Sequence, residues 1–517
     1  MQTIKTVESL LPILVFIVPS AFSLIIFALG PRHRVFREAT AGIGLLAALV
    51  VAMLITQRVL AGEVLSAWDQ NFYVDGLSAI MELIGSLMGL VVILYSWKYM
   101  THSMKSVAER YGLTSSDEGS ITSNRRLANY YGLILLFVGM MNWTCATNNI
   151  VMLYVSLEAT TLATAFLVTF YWRKASAEAG YKYLLLVTVG ITFALFGCVL
   201  IYSASLPFLP AGSALLLTEI GKVATKLPVN VVLLAAAFFV AGFGTKAGLV
   251  PFHAWLPDAH AEAPVPVSAV LSGIVIKVGA YALARTIVVF APHYDVIVSF
   301  VAIMASLSMV VGVAMALVQD DIKRLLAYSS ISQIAYVVEG LGIGTYIGIY
   351  GGLFHLVNHT ITKGLLFLCV GALVYAAGTR RISELGTVAK KMPLTTFCFF
   401  VGALAISGMP PLNGFMSKFT IFLALTESGL LWAAVISIFT GVLTVGLFVW
   451  TAYRIFWTKP VPVGNPTLVQ AKEVPAPMLV SMVGLALLAL LLGVYPQILY
   501  PLLDSATNCV LNLLAPQ

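Results

Sequence analysis

An all-α polytopic membrane protein of about fourteen transmembrane helices, with two inverted five-helix repeats and discontinuous seventh and twelfth helices, is what three observations predict. The first is composition: of 517 residues, 60% are hydrophobic and 10% charged, with a mean hydropathy of +0.96, against roughly 25% charge in soluble domains. The second is the recurrence of apolar runs about 20 residues long, the length that crosses a bilayer. The third is a pair of Gly/Pro-rich interruptions, each beside a lysine.

Read in order, the runs place helices near 8–29, 38–60, 75–97, 128–146, 148–171, 180–205, 229–256, 264–289, 295–318, 325–343, 346–377, 393–427, 430–453 and 476–500. The first run, from Leu10 to Leu29, lacks a basic region before it and a small-residue cleavage site after it, so it reads as a membrane helix and not a cleaved signal. An even number of helices puts both termini on one side. Nineteen of the 29 Lys and Arg residues fall in or beside loops that follow odd-numbered helices, among them Arg125, Arg126, Lys323, Arg324 and Lys459, whereas the opposite side holds Lys5, Arg58, Lys222 and Lys226. The positive-inside rule then sets both termini outside the cytoplasm, in a cell or inner membrane. The net charge of +7 is accounted for by orientation, without a nucleic-acid partner.

Ionisable residues inside the runs carry the functional signal. Glu158 lies between Asn149 and Phe170, and Lys182, Lys246, Lys277, Lys363 and Lys418 lie in other runs. Each costs roughly 2.5–3.5 kcal/mol to insert at membrane depth, which marks it as a functional candidate. In the seventh helix, Gly242, Gly244, Gly248 and Pro251 surround Lys246; in the twelfth, Gly408, Pro410, Pro411 and Gly414 precede Lys418. Proline removes a backbone donor and glycine permits unwinding, so both helices are expected to break near mid-membrane. Paired breaks in corresponding positions point to inverted repeats with a site at the midplane. The division expected is 1–127 for three helices and a cytoplasmic loop, 128–290 for the first repeat, 291–457 for the second, and 458–517 for the last helix and tail.

His355, His359 and Lys363 follow one another at four-residue spacing on the eleventh helix, hence on one face. Two histidines so spaced can bind zinc, but no third ligand stands nearby and a lysine one turn on opposes a metal; a proton relay fits better. His253, Asp258, His260 and Glu262 cluster after Lys246, either as a cytoplasmic proton entry or as a solvated, helix-capping loop. Lys182 is either a pathway residue or a surface lysine that snorkels. Asp75, Glu82 and Glu339 are expected at interfaces, and Arg285 is expected to reach toward one. Five cysteines, Cys145, Cys198, Cys369, Cys398 and Cys509, show no CxxC and no ligand spacing. GxGxxG, GxxxxGK[ST] and HExxH are absent, which argues against nucleotide-driven transport or proteolysis by this chain. No cofactor and no metal site are expected.

The long phrases KAGLVPFHAWLPDAHAEAPVPVSAVLSG and DIKRLLAYSSISQIAY, with VDGLSAI near the third helix, resemble the antiporter-like, proton-conducting subunits shared by respiratory complex I, Mrp-type cation/proton antiporters and group 4 membrane-bound nickel-iron hydrogenases. LEATTLATAFLV and PDAHAEAPVPVSAVL look most similar to the F-type subunit of hydrogenase 4. The resemblance implies that Glu158 pairs with Lys246, that Lys277 is a central relay, that His355, His359 and Lys363 continue it, and that Lys418 ends it; Lys182 looks like a sixth-helix basic residue of the family. It implies a non-redox subunit of a membrane-bound oxidoreductase that moves protons, with Na+ as the other candidate ion. Partners would be further antiporter-like and small membrane subunits and peripheral iron-sulfur/nickel-iron or quinone-reducing subunits. A subunit of a secondary Na+/H+ antiporter without electron transfer is the alternative, and an inert scaffold the third reading. The tail from Pro501 to Gln517 is too short for the long lateral helix of some complex I relatives, so the expectation is an internal place in a subunit array or bracing by a neighbour.

Overall fold

The computed structural model describes residues 5–111, 124–458 and 471–512; Lys459 and Gln517 lie outside them. Each predicted crossing has a helical counterpart. The first six are Leu11–Leu29, Arg34–Leu60, Gly76–Tyr111, Asn124–Ala146, Ile150–Val168 and Lys174–Ser205. The seventh is split into Val229–Ala247 and Trp255–Glu262, and the eighth runs from Val265 to Ile287. Asp295–Leu317, Ile322–Gly342 and Tyr346–Ala377 follow; the twelfth is split into Pro393–Ser407 and Asn413–Glu427, and Leu431–Phe456 and Ala476–Val494 complete the set. Eleven helices among the described residues are long and apolar enough to cross a membrane uninterrupted. The chain is an integral multi-pass membrane protein.

Local chemistry sets the ends. The Asn149 side chain accepts from the amides of Val151 and Met152 at 3.0 and 3.2 Å, and Asp321 accepts from Lys323 and Arg324 at 2.9 and 3.4 Å, satisfying amides that a helix start leaves free. Prolines stand in the first turns of the helices at Leu11 and Pro393, where their missing donor costs nothing.

Burial sorts the crossings into a core and a rim. The eighth span is buried along its entire apolar window and the eleventh for 83% of it, whereas the first is buried for 28%. Large apolar side chains such as Phe166, Phe193, Phe439 and Trp450 are exposed on the outer spans, the surface a bilayer solvates. Lys277, His355, His359 and Lys363 therefore sit in spans well shielded from lipid.

Three features had no sequence forecast. A three-stranded sheet joins β1 (Lys5–Glu8), β2 (Glu63–Ala67) and β3 (Phe72–Val74), parallel between β1 and β2 and antiparallel between β2 and β3. A short helix, Leu217–Val223, lies in the link before the seventh span, and Tyr500–Asn512 forms a helix after the last. The last packs against the third span so closely that a Cβ on Gly76 would lie 2.5 Å from the Ala506 amide. The third span is also longer than expected, reaching Tyr111.

Candidate functional site: a buried row of lysines and histidines

In the seventh span the first half ends at Gly248, whose φ of 80° caps the helix; a left-handed residue there is what glycine permits. The groups that the break would orphan find partners. Leu249 donates to the Gly244 carbonyl at 2.9 Å, the Trp255 indole donates to the Thr245 carbonyl at 2.9 Å, and the Val250 amide donates to Ser308 Oγ at 2.9 Å. Unwound backbone at membrane depth requires this.

Lys246 lies two residues before the cap, fully buried, and its ammonium donates to Thr161 Oγ1 at 2.9 Å and to the Tyr183 hydroxyl at 3.0 Å, 5.5 Å from that tyrosine's ring centroid. Glu158 is half-buried on the fifth span. Its Oε1 accepts from Thr188 Oγ1 at 2.7 Å, while Oε2 is buried without a protein partner. The direct Glu158–Lys246 pair expected from the resemblance is therefore corrected: among the described residues no ion pair joins them, because hydroxyls of the fifth and sixth spans reach each charge first.

In the twelfth span Gly408, at φ 79°, closes the first half. Lys418 stands one turn into the second half and turns back, its Nζ donating to the Ile406 carbonyl at 2.8 Å and lying 4.9 Å from the Tyr336 ring centroid. An ammonium at the carbonyl end of a half-helix gains from the helix dipole as well as from the hydrogen bond. Gly414 makes the fold-back feasible, since a Cβ there would meet the Ala405 carbonyl oxygen at 1.9 Å.

Between the breaks, Lys277 follows a π-helical turn, Leu271–Val275, in the eighth span, and its ammonium donates to the Ser272 carbonyl within that turn. Such turns occur often at functional sites. Lys363 donates to the Leu326 carbonyl at 3.0 Å and to Ser329 Oγ. Ser272 and Ser330 hydroxyls, 2.7 Å apart, tie the eighth span to the tenth, so hydroxyls connect the settings of the two lysines. His355 Nδ1 is 3.0 Å from Ser417 Oγ, beside Lys418, and its ring stacks on that of His359 with centroids 6.0 Å apart, placing these two on one face as their spacing required. Both His359 nitrogens, His355 Nε2, Ser332 Oγ and the Gln333 amide are buried without a protein partner.

The cluster after Lys246 does not stay together. His253 is half-buried; Asp258 is bound by Arg324 at 2.8 Å and by Lys182 at 3.4 Å; Glu262 is bound by Arg173 at 2.8 Å and Arg380 at 3.2 Å. His260 is wholly buried, stacked on Phe367 at 4.7 Å, with both ring nitrogens unpartnered. Lys182 has a side chain 46% exposed and paired with Glu178 at 2.9 Å, which favours the snorkelling reading. Lys323, assigned to a loop from sequence, is buried and donates to the carbonyls of Ala261 and Ala263 at 3.1 and 2.5 Å. It borders a cavity of about 820 Å³ shared with Arg173, Glu262 and Arg380.

Four residues expected at interfaces are interior. Asp75 and Arg285 are buried and joined in a two-pronged ion pair at 2.5 and 2.6 Å; Glu82 is buried; Glu339 is buried between Ser306 Oγ at 3.1 Å and Ser437 Oγ at 2.7 Å. Sequence reasoning also passed over the hydroxyls Thr161, Thr188, Ser272, Ser329 and Tyr183. The density of Ser and Thr in otherwise apolar runs, as in SSISQ of the tenth span, was the available signal.

Fold and row together define a polytopic membrane protein with ionisable side chains buried inside its helix bundle. The chain belongs to the family described as NADH:quinone oxidoreductase/Mrp antiporter, whose model matches residues 147–444, with an N-terminal complex I chain 5 model matching 67–108. It is 31% identical to NADH-quinone oxidoreductase subunit N of Desulforudis audaxviator, over 94% of this chain and 96% of that one. It is 34% identical to a hydrogenase-4 component F homolog of Methylacidiphilum infernorum, over 68% and 71% of the two chains. A subunit of the Mrp complex from a Dietzia species has the same fold, with a TM-score of 0.85 at 22% identity over 98% of this chain and 99% of that one.

Proposed function

We propose that this chain is a proton-translocating, antiporter-like subunit of a multisubunit redox-driven ion pump. The observation that carries the reading is the row itself: Lys246, Lys277, Lys363, His359, His355 and Lys418 are all buried in the interior of a membrane protein, where uncompensated charge is too costly to keep for packing alone. A proton would enter from the cytoplasm near Lys246, pass Lys277 and the Lys363/His359/His355 group, and leave outward near Lys418. Water would bridge the gaps where His359 and Gln333 lack protein partners. Glu158, half-exposed on the fifth span, would tune Lys246 through the intervening hydroxyls and feel the charge state of a neighbouring subunit.

In this reading residues 128–290 and 291–457 are inverted repeats, and both termini lie outside the cytoplasm, as the Lys/Arg asymmetry supports. Further antiporter-like and small membrane subunits would flank the chain, and peripheral iron-sulfur/nickel-iron or quinone-reducing subunits would supply energy. Moving a charge against the membrane potential costs about 2.3 kcal/mol per 100 mV, and the chain carries no redox motif. A second reading, a subunit of a secondary Na+/H+ antiporter, is favoured by the fold shared with the Mrp complex subunit.

Purification of the tagged chain from its native membrane, with mass spectrometry of co-purifying proteins, separates the two. Redox subunits support the first reading; antiporter subunits alone support the second. Unchanged ion translocation by the reconstituted complex carrying Lys246→Ala would refute the pathway in both.

A further inference from the structure

The third and eighth spans confront each other with one polar face each. On the third, Asp75, Ser78 and Glu82 recur at helical spacing; on the eighth, Lys277, Tyr281 and Arg285 recur every four residues. The faces are zipped at their outer end. Arg285 holds Asp75 at 2.5 and 2.6 Å, Ser78 Oγ at 2.8 Å and the Tyr281 hydroxyl at 2.9 Å, and Tyr281 lies 3.3 Å from Ser78 Oγ while donating to the Cys145 carbonyl at 2.7 Å.

The register of the two spans puts Glu82 at the depth of Lys277. Ser78 meets Tyr281, and one heptad further in a Cβ on Gly85 would lie 3.9 Å from Ile274. Seven residues forward on one helix thus correspond to seven back on the other, and Glu82 lies level with Lys277, beside Gly85, whose Cβ would first meet Met141 of the fourth span. The glutamate has no solvent exposure, and neither carboxyl oxygen has a hydrogen-bond partner. An isolated carboxylate in such a place forfeits its hydration without return, so a purely structural Glu82 would be a poor choice beside any apolar residue of its size.

We propose that Glu82 is a further proton carrier, the inner end of a second, outward branch that leaves the relay at Lys277 and ends at the Asp75–Arg285 pair. The inference rests on the relay reading above. Glu82 in its acid form releases a proton outward along the Ser78–Tyr281 column to the Asp75 carboxylate, which passes it to water outside the chain. The Glu82 carboxylate left behind takes a proton from the Lys277 ammonium, which becomes the neutral amine. The Asp75–Arg285 pair, beside β3 and the helix Tyr500–Asn512, is the outer end of this branch.

The test uses the complete native complex in proteoliposomes, with the amount of assembled complex measured for each variant. Glu82→Gln keeps size and removes the acid; translocation is expected to fall about twofold at equal assembly, since the exit near Lys418 stays open. Glu82→Asp, still an acid, is expected to recover part of the flux, and the infrared C=O stretch of a buried carboxylic acid should be present in the wild type and missing in Glu82→Gln. Full flux in Glu82→Gln, or equal loss in Glu82→Asp and Glu82→Gln, overturns the proposal. Lys246→Ala is the control that separates failures: if it stops flux while Glu82→Gln does not lower it, the branch alone is wrong, and if neither matters the relay reading fails as well.

Discussion

The two broken spans use the same device and arrive at different chemistry. In the seventh, the lysine precedes the break, and its ammonium is held by side-chain hydroxyls of Thr161 and Tyr183 on neighbouring spans. In the twelfth, the lysine follows the break and is held by the backbone carbonyl of Ile406 on its own span. The carboxylates differ in parallel: Glu158 is half-buried with one oxygen unpartnered, whereas Glu339 is sealed with both oxygens bonded. A charge held by hydroxyls of other helices responds when those helices shift. One that bonds the other half of its own span moves with that span. On the proposed pathway the first break is therefore the better place to receive a signal from outside the chain, and the second the better fixed terminus.

The largest expected effect comes from removing the Lys246 end of the row. Lys246→Ala should lower translocation by about a hundredfold, ~2.7 kcal/mol of barrier, in the reconstituted complex, and Lys418→Ala by about twofold, since the branch through Glu82 stays open. Lys418→Arg, whose planar head fits a single carbonyl cap poorly, should recover less flux than Lys246→Arg recovers beside two hydroxyls. Equal recovery at both sites would erase the distinction drawn here.

Next in size is the geometry of the second break. Gly414→Ala forces a Cβ against the Ala405 carbonyl and should destabilise by about 1–3 kcal/mol, read as a lower melting temperature of the detergent-purified subunit. Gly248→Ala, which strains a left-handed cap but meets Leu256 at an ordinary 3.4 Å, should cost about 1–2 kcal/mol. A Gly414→Ala protein as stable as the wild type would mean that the fold-back does not hold Lys418 in place.

The smallest effect separates the carboxylates. Glu158→Gln should slow translocation about fivefold, ~1 kcal/mol, by leaving Thr188 with a weaker acceptor and Lys246 without a nearby negative charge. Glu339→Gln should stay within about twofold, since the amide and the rotating hydroxyls of Ser306 and Ser437 can re-form their bonds. Equal losses in the two, measured at equal assembly, would contradict the view that one site listens and the other is closed.

Much of this was legible before any coordinates. The crossings, both breaks and the burial of Lys246, Lys277, Lys363 and Lys418 follow from apolar run length, Gly/Pro chemistry and the cost of charge in lipid. What misled was the treatment of residues near span ends. Asp75, Glu82, Arg285 and Lys323 stand within a few turns of a loop, where snorkelling is the economical assumption, yet the sheet, the last helix and the half-span Trp255–Glu262 cover them. Lys182, at similar depth but on an outer span, does reach the surface.

By itself the sequence determined class, crossings, breaks and the burial of Lys246, Lys277, Lys363 and Lys418, because hydropathy and backbone permissiveness act over twenty residues or fewer. Partners were decided only by the tertiary structure. That Lys246 meets Thr161 and Tyr183 instead of Glu158, that Lys277 leans on a π-helical turn, and that Arg285 reaches Asp75 all depend on register and rotation between helices. A one-residue slip turns a helical side chain by about 100°, which no local pattern constrains, and packing alone sets that angle.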